Sequence, residues 1–369
     1  MNNNLLKDLI SIPSYVDENN NEYALGEYLE KYINQNLPWL KTERQMIDNN
    51  RFNLIALGKD NPRIIFLSHM DTVLPTGDKD LSFKPFVKDF KLYGLGSADM
   101  KGGMAMAILA AQKNPRDDVA LIFDCDEEYD FKGIEELKTK YCFKPKLLIC
   151  PEPTNLEIIN GCRGIFEIEF EVFGKTAHAG KPQEGINAIE KAVNIAKQLT
   201  NILSTKKSAL GVTTVNLSAL QGGRLCDNEI KIQPNAVPDI ARIILDIRIA
   251  DPNMTKSFVT DLIYKLGKKN IVNIRDLKFN IEYYPLLTDK KSLTSFEKVL
   301  QKSEIEITYK DISNCGFFES AIICKEWKCA GVIFGPTGEG HSLNESVDLI
   351  SLEKTYSVFN ALLSSPNSV

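Results

Sequence analysis

Four short apolar runs constrain this chain more than any other feature. They lie within Arg63–Ser68, Val119–Cys125, Lys146–Cys150 and Ala330–Phe334. None alternates apolar with polar residues, so each predicts a strand covered on both faces, as in a sheet flanked by helices. Met100–Lys113, rich in Ala, Met, Ile and Leu, predicts a helix between the first two runs. Leu5–Ser11 and Tyr23–Asn34 read as amphipathic helices, and Leu352–Leu363 as a closing helix. The middle of the chain has another pattern. Phe166, Ile168, Phe170 and Val172 alternate with Glu167, Glu169 and Glu171, and Ile243, Leu245, Ile247 and Ile249 alternate with polar residues. Strict alternation marks sheets with one wet face, typically antiparallel, and Ile186–Leu203 predicts a long helix between them. The expected fold is α/β. A helix-flanked mixed sheet forms a discontinuous domain of residues 1–160 and 285–369, with an α+β domain of residues 161–284 inserted.

Composition narrows the function. Lys and Arg number 44 against 49 Asp and Glu, a net charge of −5, which argues against a nucleic-acid partner. No apolar stretch approaches the ~18–20 residues of a membrane span. The start, Met1-Asn2-Asn3-Asn4-Leu5, lacks the basic and apolar regions of a signal peptide. The 8 cysteines form no tight pair and read as buried free thiols in a reducing cytosol, so a cytoplasmic location is expected.

Only three histidines occur: His69, His178 and His341. Two of them, and most of the clustered carboxylates, follow the apolar runs. Ile64–Ser68 leads into His69-Met70-Asp71, Val119–Cys125 into Asp126-Glu127-Glu128, Leu147–Cys150 into Pro151-Glu152, and Val332–Phe334 into Gly335-Pro336 and then His341. Asp99 comes just before Gly102-Gly103 at a helix start. Sites in open α/β sheets form outside the carboxyl ends of strands, so these segments can converge on one crevice. Two imidazoles and several carboxylates suit zinc or a similar first-row metal. So many anionic groups would repel one another, and two divalent ions would relieve that. Each piece alone has a plainer reading. Asp99 could cap its helix, Asp126-Glu127-Glu128 could be a solvated turn, and His178, within the inserted domain, could be a packing residue.

Together the segments resemble the dinuclear metallohydrolases that include acetylornithine deacetylase, succinyl-diaminopimelate desuccinylase and glutamate carboxypeptidase. The resemblance rests on Ser68-His69-Met70-Asp71-Thr72-Val73, Gly96-Ser97-Ala98-Asp99-Met100-Lys101-Gly102-Gly103, Asp126-Glu127-Glu128, Glu152-Pro153-Thr154, Gly174-Lys175-Thr176-Ala177-His178-Ala179-Gly180 and Gly340-His341-Ser342-Leu343-Asn344-Glu345, in family order across nearly the whole chain. It implies two divalent metal ions, zinc or alternatively cobalt, bridged by Asp99. His69 and Glu152 would complete one site, and Glu128 and His341 the other. Asp71 would hydrogen-bond the far nitrogen of His69, and Glu127 would be the general base. At a strand end neighbouring side chains point opposite ways, so one carboxylate of the pair can bind metal while the other faces water. His178 would donate a hydrogen bond to the oxyanion from a lid, in several relatives from the partner subunit, which implies a homodimer through the inserted domain. Arg248 would hold a free carboxylate of the substrate, and Asn235 would be a polar lid residue near the substrate. The resemblance also implies a cis peptide at Asp99–Met100.

Two segments depart from the family. Asn314-Cys315-Gly316-Phe317-Phe318-Glu319-Ser320 replaces a Gly-Thr-Ser-Asp-like turn, and Leu95 stands where an Arg is common. The function implied is metal-dependent hydrolysis of an amide in a small N-acyl amino acid. The alternatives are a peptidase, either glutamate carboxypeptidase-like or a dipeptidase, and a non-catalytic protein binding small molecules or peptides. The last would normally have lost Glu127 or a metal ligand.

Overall fold

The computed structural model describes residues 3–48, 50–76 and 79–365. Met1 and Asn2 of the N-terminal segment read above lie outside them, as does the side chain of Asn314. Contacts divide the chain into two compact units: residues 1–161, 288–311 and 318–369, and residues 162–287 with 312–317. The assignment of Ile312–Phe317 to the second unit has no sequence signal of its own.

The first unit is built on a six-stranded mixed sheet. Its order is Lys41–Asp48, Arg51–Leu57, Val119–Asp124, Ile64–His69, Leu147–Cys150 and Gly331–Ile333. The last four strands run parallel, and every residue in them is buried. That burial on both faces is why they carry no polar alternation. The other two form an antiparallel hairpin at the edge. Lys41–Asp48 buries only Gln45, and its charged sequence hides it from a reading based on apolar runs. Helix Lys101–Lys113 returns the chain from Ile64–His69 to Val119–Asp124 and packs on Leu349–Ser364. From Leu147–Cys150 the chain instead passes through the second unit to reach Gly331–Ile333 on the far side. Connections therefore diverge between the strands that end at His69 and Cys150. This is a topological switch point, where a crevice opens at the carboxyl ends of a sheet.

The second unit holds a five-stranded antiparallel sheet: Glu229–Lys231, Thr214–Cys226, Ile240–Ile249, Gly164–Phe173 and Asn273–Tyr283. In register, Phe166 faces Ile247, Ile168 faces Leu245 and Phe170 faces Ile243. Helices Ala188–Leu203 and Lys256–Lys269 pack on this sheet and each other, enclosing a core with Ala192, Ile195, Leu199, Val259 and Ile263. The opposite face carries ion pairs of Arg242 with Glu169 and Glu171, and of Lys278 with Glu169. This is the period-2 pattern in physical form: apolar residues buried, charges paired in water.

All 8 cysteines are free thiols. The expectation that they are buried needs correction for Cys142, which is exposed, and for Cys226 and Cys329, which are partly exposed. Cys142 lies beyond the helix Lys132–Lys140, and Cys226 ends a strand with a mostly exposed face. Among the described residues no helix is long and apolar enough to cross a membrane.

Candidate metal centre

Six side chains of the first unit meet at the switch point. His69 is the last residue of its strand, and Glu152 follows the adjacent strand by two residues. Asp99 precedes the helix Lys101–Lys113, but it does not cap it: the N-cap is Met100, with no side-chain bond. Asp99 instead directs one oxygen to each histidine. Its Oδ1 lies 3.1 Å from His69 Nε2, and its Oδ2 lies 3.2 Å from His341 Nε2. Glu152 Oε1 is 3.4 Å from His69 Nε2, and Glu128 Oε1 is 2.8 Å from His341 Nε2. Three groups bring their ligand atoms within 4.8 Å of one another: His69 with Asp99 and Glu152, Asp99 with Glu128 and His341, and His69 with Glu127 and Glu128. The peptide at Asp99–Met100 is cis.

Two glycines make this approach possible. A Cβ on Gly103 would stand 1.8 Å from the carbonyl oxygen of Pro151, the residue before Glu152. A Cβ on Gly340 would stand 2.9 Å from the Asp99 Cβ and 3.1 Å from its Oδ2. Glu345 supports the same loop, its Oε1 accepting from the amides of Ala98 and Asp99 at 3.0 Å each. Lys101 is fully buried and donates to the Leu9 and Ile12 carbonyls, with its pKa lowered by burial to about 7.

Asp71 differs from its expected place. His69 Nδ1 meets the main-chain carbonyl of Asp71 at 3.0 Å, while the Asp71 carboxylate stays 3.6 Å away. That carboxylate instead accepts from the amides of Glu127 at 3.1 Å and Glu128 at 2.8 Å. Two amide donors fix the tilt of the carboxylate, and the nearer carbonyl accepts the hydrogen bond of the imidazole Nδ1–H. The carbonyl orients the ring as the carboxylate would, so Nε2 faces the cluster. The Asp126-Glu127-Glu128 turn is correspondingly held by side chains and is not a loosely solvated turn.

The electrostatics show what the cluster needs. Burial pushes Glu152 up to about 8, with Asp99 adding to the effect. Burial also raises Glu127, and Glu152, Asp71 and Glu128 add repulsion against the pull of His69. His341 is raised to about 11 by Asp99 and then Glu128. For His69, burial works downward, but Asp71, Asp99 and Glu152 override it and raise the group well above its ordinary value. For Asp99, burial works upward, and the two histidines override it and hold the group low. The clustered carboxylates thus call for positive charge beside them. Two divalent ions between the same nitrogen and oxygen atoms would satisfy every group in its deprotonated form, so the donor set fits a pair of such ions.

His178, Asn235 and Arg248 belong to the second unit. His178 and Asn235 are neighbours, because residues 177–179 pair with residues 235–237 through Val237 N to Ala177 O at 2.8 Å and Ala179 N to Asn235 O at 2.9 Å. Both side chains are exposed. His178 Nδ1 accepts from the Gly180 amide at 3.0 Å, which leaves the proton on Nε2. Arg248 is engaged through Nε and Nη2 by Asp246, at 2.8 and 3.1 Å. The atypical turn places Glu319 in the first unit, buried, with its Oε1 4.0 Å from Cys150 Sγ.

The sequence matches the profile described as Peptidase family M20/M25/M40 over residues 65–365. It is 26% identical to an acetylornithine deacetylase of Buchnera aphidicola, with 97% of this chain and 96% of that protein covered. It is 29% identical to a probable carboxypeptidase of Aspergillus clavatus, with 76% of this chain and 68% of that protein covered. Among solved structures, the aminopeptidase PepT of Bacillus cereus superposes with a TM-score of 0.73 at 22% identity, covering 97% of this chain and 96% of that one.

Proposed function

Since the chain belongs to peptidase family M20/M25/M40 and is a metal-dependent hydrolase of that family, we propose that it hydrolyses the amide of a small N-acyl amino acid. The observation that carries the reading is Asp99, with one carboxylate oxygen on His69 and the other on His341. An acid bridging two imidazole-bearing sites suits a hydrolytic pair of ions. The acyl-amino-acid class draws on the acetylornithine deacetylase similarity, which runs over 97% of the chain.

His69 and Glu152 would hold one ion, Glu128 and His341 the other, and Asp99 both; zinc suits this nitrogen and oxygen set, with cobalt the alternative. Bound there, the ions supply Lewis-acid polarisation of the amide and lower the pKa of water. Glu127 accepts the proton of the attacking water on its carboxylate and returns it to the departing amine nitrogen. His178, with its Nε2 proton, donates a hydrogen bond to the oxygen that gains charge. Asn235 contacts the substrate, and Arg248 binds its free carboxylate. That group would meet the guanidinium at Nη1 or displace Asp246 from its other edge. The second unit serves as a lid and as the contact of a homodimer, to which sedimentation gives a direct check. The reaction belongs in the cytoplasm.

A peptidase acting beside a free carboxylate is the second reading, favoured by the carboxypeptidase similarity. A panel of N-acetylornithine, N-succinyl-diaminopimelate, N-acyl-glutamates and simple dipeptides, assayed with zinc or cobalt, separates the two. Turnover of the acyl amino acids above the dipeptides supports the first reading, and the reverse order overturns it. Less than one equivalent of metal with no hydrolysis of any member would point to a binding protein.

A further inference from the structure

The turn that carries Glu127 and Glu128 is gripped at four consecutive amides by side-chain oxygens from three distant segments. Cys125 N donates to Asn53 Oδ1 at 3.3 Å, and Asp126 N to Glu22 Oε1 at 3.0 Å. Glu127 N and Glu128 N donate to the two oxygens of Asp71. Asp126 sits at φ 76°, a left-handed conformation that a non-glycine residue keeps only where its surroundings enforce it. Arg51 ties the grip together. Its Nε and Nη2 bind Glu22 Oε2 and Oε1 at 2.9 and 2.7 Å, and Nη2 also binds Asp126 Oδ1 at 2.5 Å. Glu22 and Asp126 are each 1% exposed and Arg51 6%. Asn53 is itself held, donating to Gln45 Oε1 and to the Gly133 carbonyl.

A buried ion triad is poor evidence for stability, because desolvation offsets most of its attraction. It is better suited to fixing geometry. Here it fixes the backbone from which two adjacent carboxylates must diverge, one to His341 and the other to a reacting water. We propose that Glu22, Arg51 and Asn53 are positioning residues that act through the 125–128 turn. They hold Glu127 at the distance and angle proton transfer requires, where a misplacement of about 1 Å costs about 10²-fold in rate. The proposal rests on the reading of Glu127 as the base.

The test compares Glu22→Ala, the isosteric Glu22→Gln, Arg51→Lys and Glu127→Gln, each checked for fold by circular dichroism and for metal content. The substrate is the best member of the panel. Glu22→Ala should lower kcat by 10- to 100-fold, with KM within threefold and metal content unchanged. Glu22→Gln, which keeps an oxygen for the Asp126 amide, should recover most of the loss. In metal-free protein, amide exchange across residues 125–128 should quicken at least tenfold in Glu22→Ala. Placed in the Glu127→Gln background, Glu22→Ala should lower kcat by less than threefold, because residues acting as a unit are not additive. A folded Glu22→Ala protein with normal kcat, or equal losses in both backgrounds, overturns the proposal. Full activity in Glu127→Gln overturns the base assignment, and with it the route through Glu127.

Discussion

Gly103→Ala asks most of the packing around the metal centre. The added Cβ would stand 1.8 Å from the Pro151 carbonyl oxygen, against 3.4 Å at the near edge of ordinary van der Waals contact. The helix start and the Pro151–Glu152 segment must therefore part by about 1.6 Å, the difference of those distances. The clash is with backbone, so no side-chain rotation relieves it. Overpacking of this kind costs typically 1–3 kcal/mol, and a contact this short belongs at the upper end, about 3 kcal/mol. Alanine returns about 1 kcal/mol of helix propensity, so the net loss is about 2 kcal/mol. At roughly 2–4 °C per kcal/mol, Tm should fall by about 4–8 °C. The same displacement moves Glu152 from His69 and Asp99, so metal should bind more weakly and kcat should fall by about 10²-fold. Gly316→Ala is the control, since a Cβ there meets nothing within 4 Å. The assay is calorimetric unfolding with metal analysis and turnover on the same samples. Unchanged Tm and turnover in Gly103→Ala would refute the reasoning, and so would an equal loss in Gly316→Ala.

Glu127→Gln should retain both metal ions and lose about 10²–10⁴-fold in kcat, the range for a positioned acid–base group; metal loss in proportion to activity would exchange its role with Glu128. His178→Ala should lose about 10²-fold or more in kcat at unchanged metal content, and near-normal turnover would return it to a structural role. Metal binding should release protons. His341, at about 11, is protonated at pH 7, as for the most part is Glu152, at about 8. From these two groups loading should then expel about two protons at pH 7 and about one at pH 9, where Glu152 has already ionised, and affinity should fall as pH falls. Calorimetry in buffers of differing ionisation enthalpy measures this, and release of less than one proton at pH 7 would contradict the assignment.

The convergence of the candidate ligands was legible because each follows an apolar run or precedes a helix, and parallel strands deliver their carboxyl ends to one edge. His69, Glu152 and the Glu127–Glu128 pair come from three adjacent strands of that sheet. The grip on the turn was not legible. Arg51 and Asn53 are polar residues within a buried strand, and Glu22 precedes a helix with no capping bond of its own. Their common target lies some seventy or more residues away, and no local pattern announces such a pairing. A hint was present, since Arg51 and Asn53 interrupt an otherwise apolar Arg51–Leu57. Asp71 was half legible. Its spacing from His69 suggested a partner for the imidazole, but whether carbonyl or carboxylate fills that role depends on which amides compete for the carboxylate.

The proposed function stands on Asp99 being shared between two ions. Anomalous diffraction from crystals grown with zinc tests it most directly. Two peaks are expected about 3.5–4 Å apart, one beside His69 and Glu152 and the other beside Glu128 and His341, with an Asp99 oxygen on each. A single peak at saturating zinc, or a pair with Asp99 bound to only one of them, would contradict it.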